Sequence, residues 1–276
     1  MLPGEDGALG AELSCAFRLA RQAGAEALAI QRGTFTVEMK PGDEPVTIAD
    51  RRASEIIVAG LAAAFPDDPV ISEELPPPPG AQDGTRLWLV DPIDGTKDFI
   101  RGEDGYSVMI GLVRDQRPVL GVVYQPVQNR MYYGVPEGGW IAVGSHVEAL
   151  HVSNVTAAND ARLVASKSHR SDDIDRVKER LGITNEENIG SVGVKLCLIA
   201  LGVHDLYVNP HAKTKAWDTC APEAILARAG GRLSDLFGTE IDYRGELAHR
   251  RGLVASNGRV HDEVLAKLAP LFAGKL

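Results

Sequence analysis

Between residues 9 and 31 the apolar positions Leu9, Leu13, Phe17, Ala20, Ala27 and Leu28 recur mostly three or four apart. That spacing predicts an amphipathic helix, and Gly33 supplies its stop. A second helix is expected from about Asp50, carrying Ile56, Ile57, Leu61, Ala64 and Phe65 and ending at Pro66. Pro69-Val-Ile-Ser-Glu-Glu reads as a short strand running into two acids. The four prolines Pro76 to Pro79 and Gly80 make 75–85 a semi-rigid loop. From Arg86 the pattern turns β-rich. Leu87-Trp-Leu-Val is a strand apolar enough to be buried on both faces, ending at Asp91 where Pro92 turns the chain. Tyr106 to Val113 and Val119 to Tyr124 form a hairpin, and Met131 to Val135 with Trp140 to Val143 continue a meander.

After about residue 150 short strands alternate with helices. Strands are expected at 162–165, 189–191, 205–208, 232–235 and 252–255, and helices at 171–181, 194–201, 218–229 and 261–272. The change of rhythm divides the chain into an N-terminal α+β subdomain, 1–150, and a C-terminal α/β subdomain, 151–276. Aromatic residues are 5% of the chain, so Ala, Val, Leu and Ile must build the core. With 44% hydrophobic and 24% charged residues the composition is that of a globular protein. A net charge of −9 lacks the basic footprint of a nucleic-acid binder and does not attract anionic lipid. A small phosphorylated molecule stays within reach if metal ions reverse the local sign. Cys15, Cys197 and Cys220 are too few and scattered for a disulfide framework or a zinc site. The N-terminus lacks signal-peptide regions, and the most apolar window, Ile56 to Phe65, falls well short of the roughly 20 residues that span a bilayer. The expectation is a soluble cytoplasmic protein.

The chemistry concentrates in Asp91-Pro-Ile-Asp-Gly-Thr96. Two carboxylates at the mouth of one strand repel, so they need separation, a shared proton or a cation. Mg²⁺ suits one or two carboxylates together with phosphate oxygens. Amides at Gly95 and Thr96, opening a short helix, would face a phosphate. An EF-hand is excluded because Ile93 stands where an oxygen ligand is required. Aspartate-nucleophile phosphatases are excluded because their first acid lies two residues before the second, whereas Asp91 lies three before Asp94. Taken alone, these acids are equally read as a solvated, capped turn. Asp50 after Val46-Thr-Ile-Ala is by itself an N-cap, Ser72-Glu73-Glu74 a solvated rim, and Asp218 a cap with Pro222 in its first turn.

Together, however, Val46-Thr-Ile-Ala-Asp50, Ser72-Glu-Glu, Asp91-Pro-Ile-Asp-Gly-Thr96 and Trp217-Asp218 followed by Gly230-Gly231 resemble the inositol monophosphatase superfamily over about residues 10–270. Trp217-Asp-Thr-Cys-Ala-Pro-Glu223 and Asp91 to Phe99 look most like its 3'(2'),5'-bisphosphate nucleotidases. The resemblance implies a layered α-β-α-β-α sandwich of the sugar-phosphatase fold, with the acids meeting at the seam of two subdomains. It also implies a lithium-sensitive, Mg²⁺-dependent phosphatase with two to three ions per site. On this reading Glu73, Asp91 and the Ile93 carbonyl hold the first ion. Asp91, Asp94 and Asp218 hold the second, and Glu73, with Asp50 through water, a looser third. Thr96 and Asp50 would orient and deprotonate the attacking water, with Glu74 nearby.

Substrate choice is read from a different segment. Inositol monophosphatases carry a Glu seven residues before the last metal Asp, and here that position is His211, in Asn209-Pro-His-Ala-Lys213-Thr-Lys215. A cationic loop suits a second phosphate better than a ring of hydroxyls, although Lys213 and Lys215 read equally well as a solvated surface. Ser168, His169, Gly193 and Lys195, with Gly95, Thr96, His211 and Lys215, complete the binding set that the resemblance implies. The expected reaction is hydrolysis of 3'-phosphoadenosine 5'-phosphate to AMP and phosphate, with inositol or other sugar monophosphates as the alternative. The expected partner is that small nucleotide or sugar, with no nucleic acid and no membrane, and a homodimer is left open.

Overall fold

The computed structural model describes residues 2–42, 44–168 and 170–274. The N-terminal part runs α1 (Gly10–Gln31), β1 (Val37–Lys40), β2 (Glu44–Thr47), α2 (Ile48–Ala64), β3 (Val70–Ser72), β4 (Arg86–Asp94) and α3 (Thr96–Ile100). Five further strands follow it: β5 (Ser107–Arg114), β6 (Arg117–Gln125), β7 (Arg130–Val135), β8 (Gly138–Val143) and β9 (His146–Ala149). Strands β3 to β9 form one sheet in chain order, with only β3 and β4 parallel. The C-terminal part runs β10 (Leu163–Ser166), α4 (Asp172–Leu181), β11 (Glu186–Ile189), α5 (Val192–Ala200), β12 (Leu206–Asn209), α6 (Ala216–Arg228), β13 (Arg232–Ser234), β14 (Leu253–Ser256) and α7 (His261–Phe272). Its sheet has the order β11-β10-β12-β14-β13.

Three cores make five layers. Leu13, Phe17, Ala53 and Ile57 of α1 and α2 cover one face of the larger sheet, against Trp88, Val90 and Tyr133. Its other face and one face of the smaller sheet enclose α5 and α6, through Leu196, Cys197, Cys220 and Ile225. α4 and α7 close the far side with Ile174, Val177, Val264 and Leu268. The α-β-α-β-α sandwich follows, because each sheet buries both faces and must find helices for each. Among the described residues no helix is long and apolar enough to cross a membrane.

A row of glycines sets the distance between the larger sheet and α6. Gly111, Gly121, Gly134 and Gly139 pair across β5, β6, β7 and β8. A methyl group on Gly121 would lie 2.0 Å from the Ala221 carbonyl oxygen, and one on Gly134 would lie 2.8 Å from Ile225 Cα. The helix therefore rests on sheet backbone, closer than side chains would allow. In register, Leu89 of β4 continues this row, so Asp91, two residues on, projects to the same face.

The structure corrects several boundaries. β4 does not end at Asp91: it runs through Pro92 to Asp94, with an irregular register between Asp91 and Asp94. Proline is accepted there because a bulge needs no ladder donor at that position. β11 lies at 186–189 rather than 189–191, which frees Ser191 to cap α5 through Val194 N–H (2.9 Å). α6 begins at Ala216, so Pro222 falls in its second turn, not its first. The β1–β2 hairpin is a separate two-stranded sheet that the pattern did not announce, because β1 is almost wholly exposed.

Candidate active site

β4 delivers Asp91, Ile93 and Asp94 to the mouth of the larger sheet, where the chain must leave the strand and enter α3 at once. Gly95 makes that turn with φ +101°, and a Cβ there would stand 3.2 Å from Gly105 O and Tyr106 Cα. Thr96 Oγ1 then lies 3.0 Å from Asp50 Oδ1 and 3.1 Å from the Ile93 carbonyl. The hydroxyl has one proton to give, and the carboxylate is the stronger acceptor. Asp50 is not a surface N-cap but is buried in the first turn of α2. Its Oδ2 accepts from Thr47 N (2.8 Å) and Thr47 Oγ1 (2.7 Å). Glu73 follows β3, anchored by its N–H on Val90 O at 3.1 Å. Asp218 sits in the first turn of α6 rather than capping it, and its Oδ2 reaches back to Lys215 N–H at 2.8 Å.

These acids crowd one another. Burial pushes the Asp91 carboxyl well above the usual range, and Glu73, Asp94 and Asp218 push it further. Asp218 is raised for the same reasons, by burial and then by Glu73 and Asp94. Burial also raises Glu73, to about 7, although Lys40 opposes it. Lys40 Nζ lies 2.7 Å from both Glu73 Oε1 and Glu74 Oε1. Asp94 is raised by burial against Lys195, Ser191 and Gly193. Among the described residues no three acidic, histidine or cysteine side chains are gathered around one point tightly enough to hold an ion as they stand. Each carboxylate is tied through one oxygen: Asp91 Oδ1 by Ile93 N–H, Asp94 Oδ2 by Ser191 and Gly193, Glu73 Oε1 by Lys40. These bonds leave a second oxygen on each. A set of oxygen donors that raise one another's pKa fits a hard divalent cation.

Glu73, Asp91, Ile93, Asp94, Gly95, Thr96, Lys195, His211, Lys215 and Asp218 all border one cavity of about 400 Å³, as does Ser168. Asp50 lies behind Thr96, and Glu74 turns to Lys40 instead of the cavity. His169 falls outside the described residues. Four of the expected binding residues, Gly193, Lys195, His211 and Ser168, already hold hydrogen bonds within the protein. The Gly193 N–H donates to Asp94 Oδ2 at 2.7 Å, so it holds a site carboxylate rather than facing the cavity with a free donor. Lys195 is fully buried and donates to Ile189 O (3.1 Å) and Gly190 O (2.8 Å), with Tyr207 beneath it at 5.3 Å. Burial lowers its pKa to about 8, against the pull of Asp94. His211 Nε2 shares a hydrogen bond with Ser171 Oγ at 2.8 Å, and Ser168 Oγ accepts from Arg101 Nη2 at 3.0 Å.

Sequence reasoning missed Lys40 and the role of Ser191. Ser191 Oγ donates to Asp94 Oδ2 at 2.5 Å and bonds Ser107 Oγ at 3.0 Å, joining the two halves. No motif flags a lone lysine on an exposed hairpin, and Ser191 falls at the end of the expected strand 189–191, where nothing marks it as a cap.

The model of the inositol monophosphatase family matches residues 11–271. The chain belongs to the inositol monophosphatase family. It is 39% identical to the 3'(2'),5'-bisphosphate nucleotidase CysQ of Salmonella typhimurium, over 82% of this chain and 91% of that one. It is 34% identical to a histidinol-phosphatase of Streptomyces coelicolor, over 84% and 86%. The crystal structure of CysQ from Bacteroides thetaiotaomicron superposes with a TM-score of 0.75 at 30% identity, covering 90% of this chain and 97% of that one. Family membership makes the protein a metal-dependent phosphatase.

Proposed function

We propose that this family member is a Mg²⁺-dependent phosphatase of 3',5'-bisphosphorylated nucleosides, releasing AMP and phosphate from 3'-phosphoadenosine 5'-phosphate. The observation that carries the reading is the Thr96–Asp50 hydrogen bond at the edge of a cavity bordered by Glu73, Asp91, Asp94 and Asp218. Glu73, Asp91 and the Ile93 carbonyl would hold one Mg²⁺, and Asp91, Asp94 and Asp218 a second. Glu73, with Asp50 through water, would hold a looser third. Bound there, the ions lower the pKa of water and offset charge on the phosphoryl group. The Thr96 hydroxyl gives its proton to Asp50 and accepts from the attacking water, so the water's proton passes through Oγ1 to Asp50. The water oxygen bonds to phosphorus as the ester P–O bond breaks, and the nucleoside oxygen leaves to be protonated from solvent.

Lys97, Lys213 and Lys215 on the cavity wall favour a substrate with a second phosphate. Such a remote contact holds the scissile group in register, so its worth appears partly in kcat. Preference for the bisphosphate over inositol 1-phosphate is expected to be at least about tenfold in kcat/KM, ~1.4 kcal/mol. Kinetics on 3'-phosphoadenosine 5'-phosphate, 3'-AMP, inositol 1-phosphate and histidinol phosphate in one Mg²⁺ buffer test it. Equal efficiency on 3'-AMP and the bisphosphate would remove the second phosphate site. Faster turnover of either alternative ester would hand the site to that substrate.

A further inference from the structure

α6 carries Asp218 at one end and is held on two opposite faces. At 100° per residue, Ala221, Ala224, Ile225 and Arg228 face one way. There the glycines of β6, β7 and β8 meet them. Thr219 and Glu223, four apart, face the other way, and Asp218 lies on the flank between. On this second face runs a buried polar chain. His249 Nε2 and Thr219 Oγ1 are 2.7 Å apart, and Tyr243 OH stands 3.1 Å from Thr219 Oγ1 and 2.5 Å from Glu223 Oε2. Arg117, at the start of β6, donates through Nη2 to Glu223 Oε1 and through Nη1 to Ile241 O at 2.9 Å. Glu223 is only 3% exposed.

None of these groups touches the cavity. Glu223 is buried while Arg117 is partly exposed, and a pair with a buried carboxylate is poor at stabilising a helix that only needs covering, since apolar groups of similar volume often do as well or better. What the pair does supply is direction: two bonds on one carboxylate, from the start of β6 and from the 241–243 loop, which are themselves joined by Arg117 Nη1 to Ile241 O and by Tyr243 N–H to Gln116 O, resist rotation of α6 about its axis. We propose that Glu223, fixed by Arg117 and Tyr243, is a positioning residue that sets the rotation of α6 and thereby aims Asp218 at the metal site. This rests on the assignment of Asp218 to the metal under Proposed function.

The test compares wild type with Glu223→Gln and with the double variant Glu223→Met/Arg117→Met. Each is melted over a Mg²⁺ series from EDTA upward. The double variant is expected to melt without metal within a few degrees of wild type, yet to need at least fivefold more Mg²⁺ for half of its thermal shift. Glu223→Gln, which keeps part of the bonding, should fall between. Tyr243→Phe, which removes only a hydroxyl, covers the case in which the double variant does not fold, and it should raise the Mg²⁺ requirement at least twofold. Variants that change metal-free stability but leave the Mg²⁺ half-saturation at the wild-type value would overturn the inference. A wild type with no Mg²⁺ shift would instead overturn the metal assignment and this inference with it.

Discussion

Asp91 and Asp205 are both buried, 2% and 0% exposed, one in the last part of β4 and one just before β12. Their surroundings are opposite. Asp205 Oδ2 accepts from Arg162 N (2.8 Å) and Nε (2.8 Å), and its Oδ1 from Arg162 Nη2 (2.9 Å) and from Ser153. Those donors hold its pKa below the usual carboxylate range in spite of burial. Asp91 receives one backbone N–H and faces Glu73, Asp94 and Asp218, and its pKa is raised well above that range. Burial sets the cost of a charge, and the neighbours decide whether the fold itself offsets it. At Asp205 the fold does so completely. At Asp91 the neighbouring acids add to the cost instead.

The largest expected effect separates the two as catalyst and scaffold. Asp91→Asn should lower kcat by ~10³-fold or more, because a ligand and a charge are lost together. The same change should raise the melting temperature in EDTA, by removing one of several repelling carboxylates. Steady-state rates and metal-free melts read both, and a rate near wild type would end the assignment of Asp91. Asp205→Asn should do the reverse, costing about 3 kcal/mol of stability while turnover per folded molecule stays within about twofold. The cost is set at the low end of the range for broken buried pairs because Arg162 is partly exposed and can turn to water. Urea unfolding beside an assay corrected for folded fraction measures it.

Acid offers a subtler comparison. His261 is fully buried between Ser234 Oγ and Ser256 Oγ, each at 2.9 Å, and burial lowers its pKa to about 4. The unfolded chain takes up the proton near pH 6.5, so this contribution is complete above that pH and is lost as pH falls toward 4. Asp205, also depressed, adds its own loss only below about pH 4. Asp91 has the opposite sign, since its raised pKa favours the folded state as pH falls. The stability gap between wild type and His261→Gln should therefore narrow by on the order of 2 kcal/mol between pH 7 and pH 5. A gap that stays constant would mean that His261 titrates in the fold as it does in the unfolded chain.

Much of this is legible in the order of the amino acids alone. The helices over 10–31 and 261–272 declare themselves by period, and the acids of the site declare themselves by position at strand ends. What could not be read depends on tertiary partners. Pro92 looks like a turn from local rules, yet β5 continues beside it and carries the strand to Asp94. Lys195 looks like a phosphate ligand by type, yet its ammonium ends among carbonyls 189 and 190. The amide of Gly193 has no side chain to betray its use, so its bond to Asp94 is visible only once α5 is placed.

The glycine row has a mechanical consequence. Where side chains separate two layers, their spacing follows side-chain volume and yields when a methylene is gained or lost. Here the spacing at α6 is a contact of main chain on main chain, which has almost no slack to give. The gap between acids on the strand and the acid on the helix is therefore a stiff dimension of the molecule. It should change little with heat or pressure, and little as the surrounding core drifts in sequence. The four positions without a side chain set this layer spacing, which leaves rotation of α6 about its own axis as the freedom that Glu223 restrains.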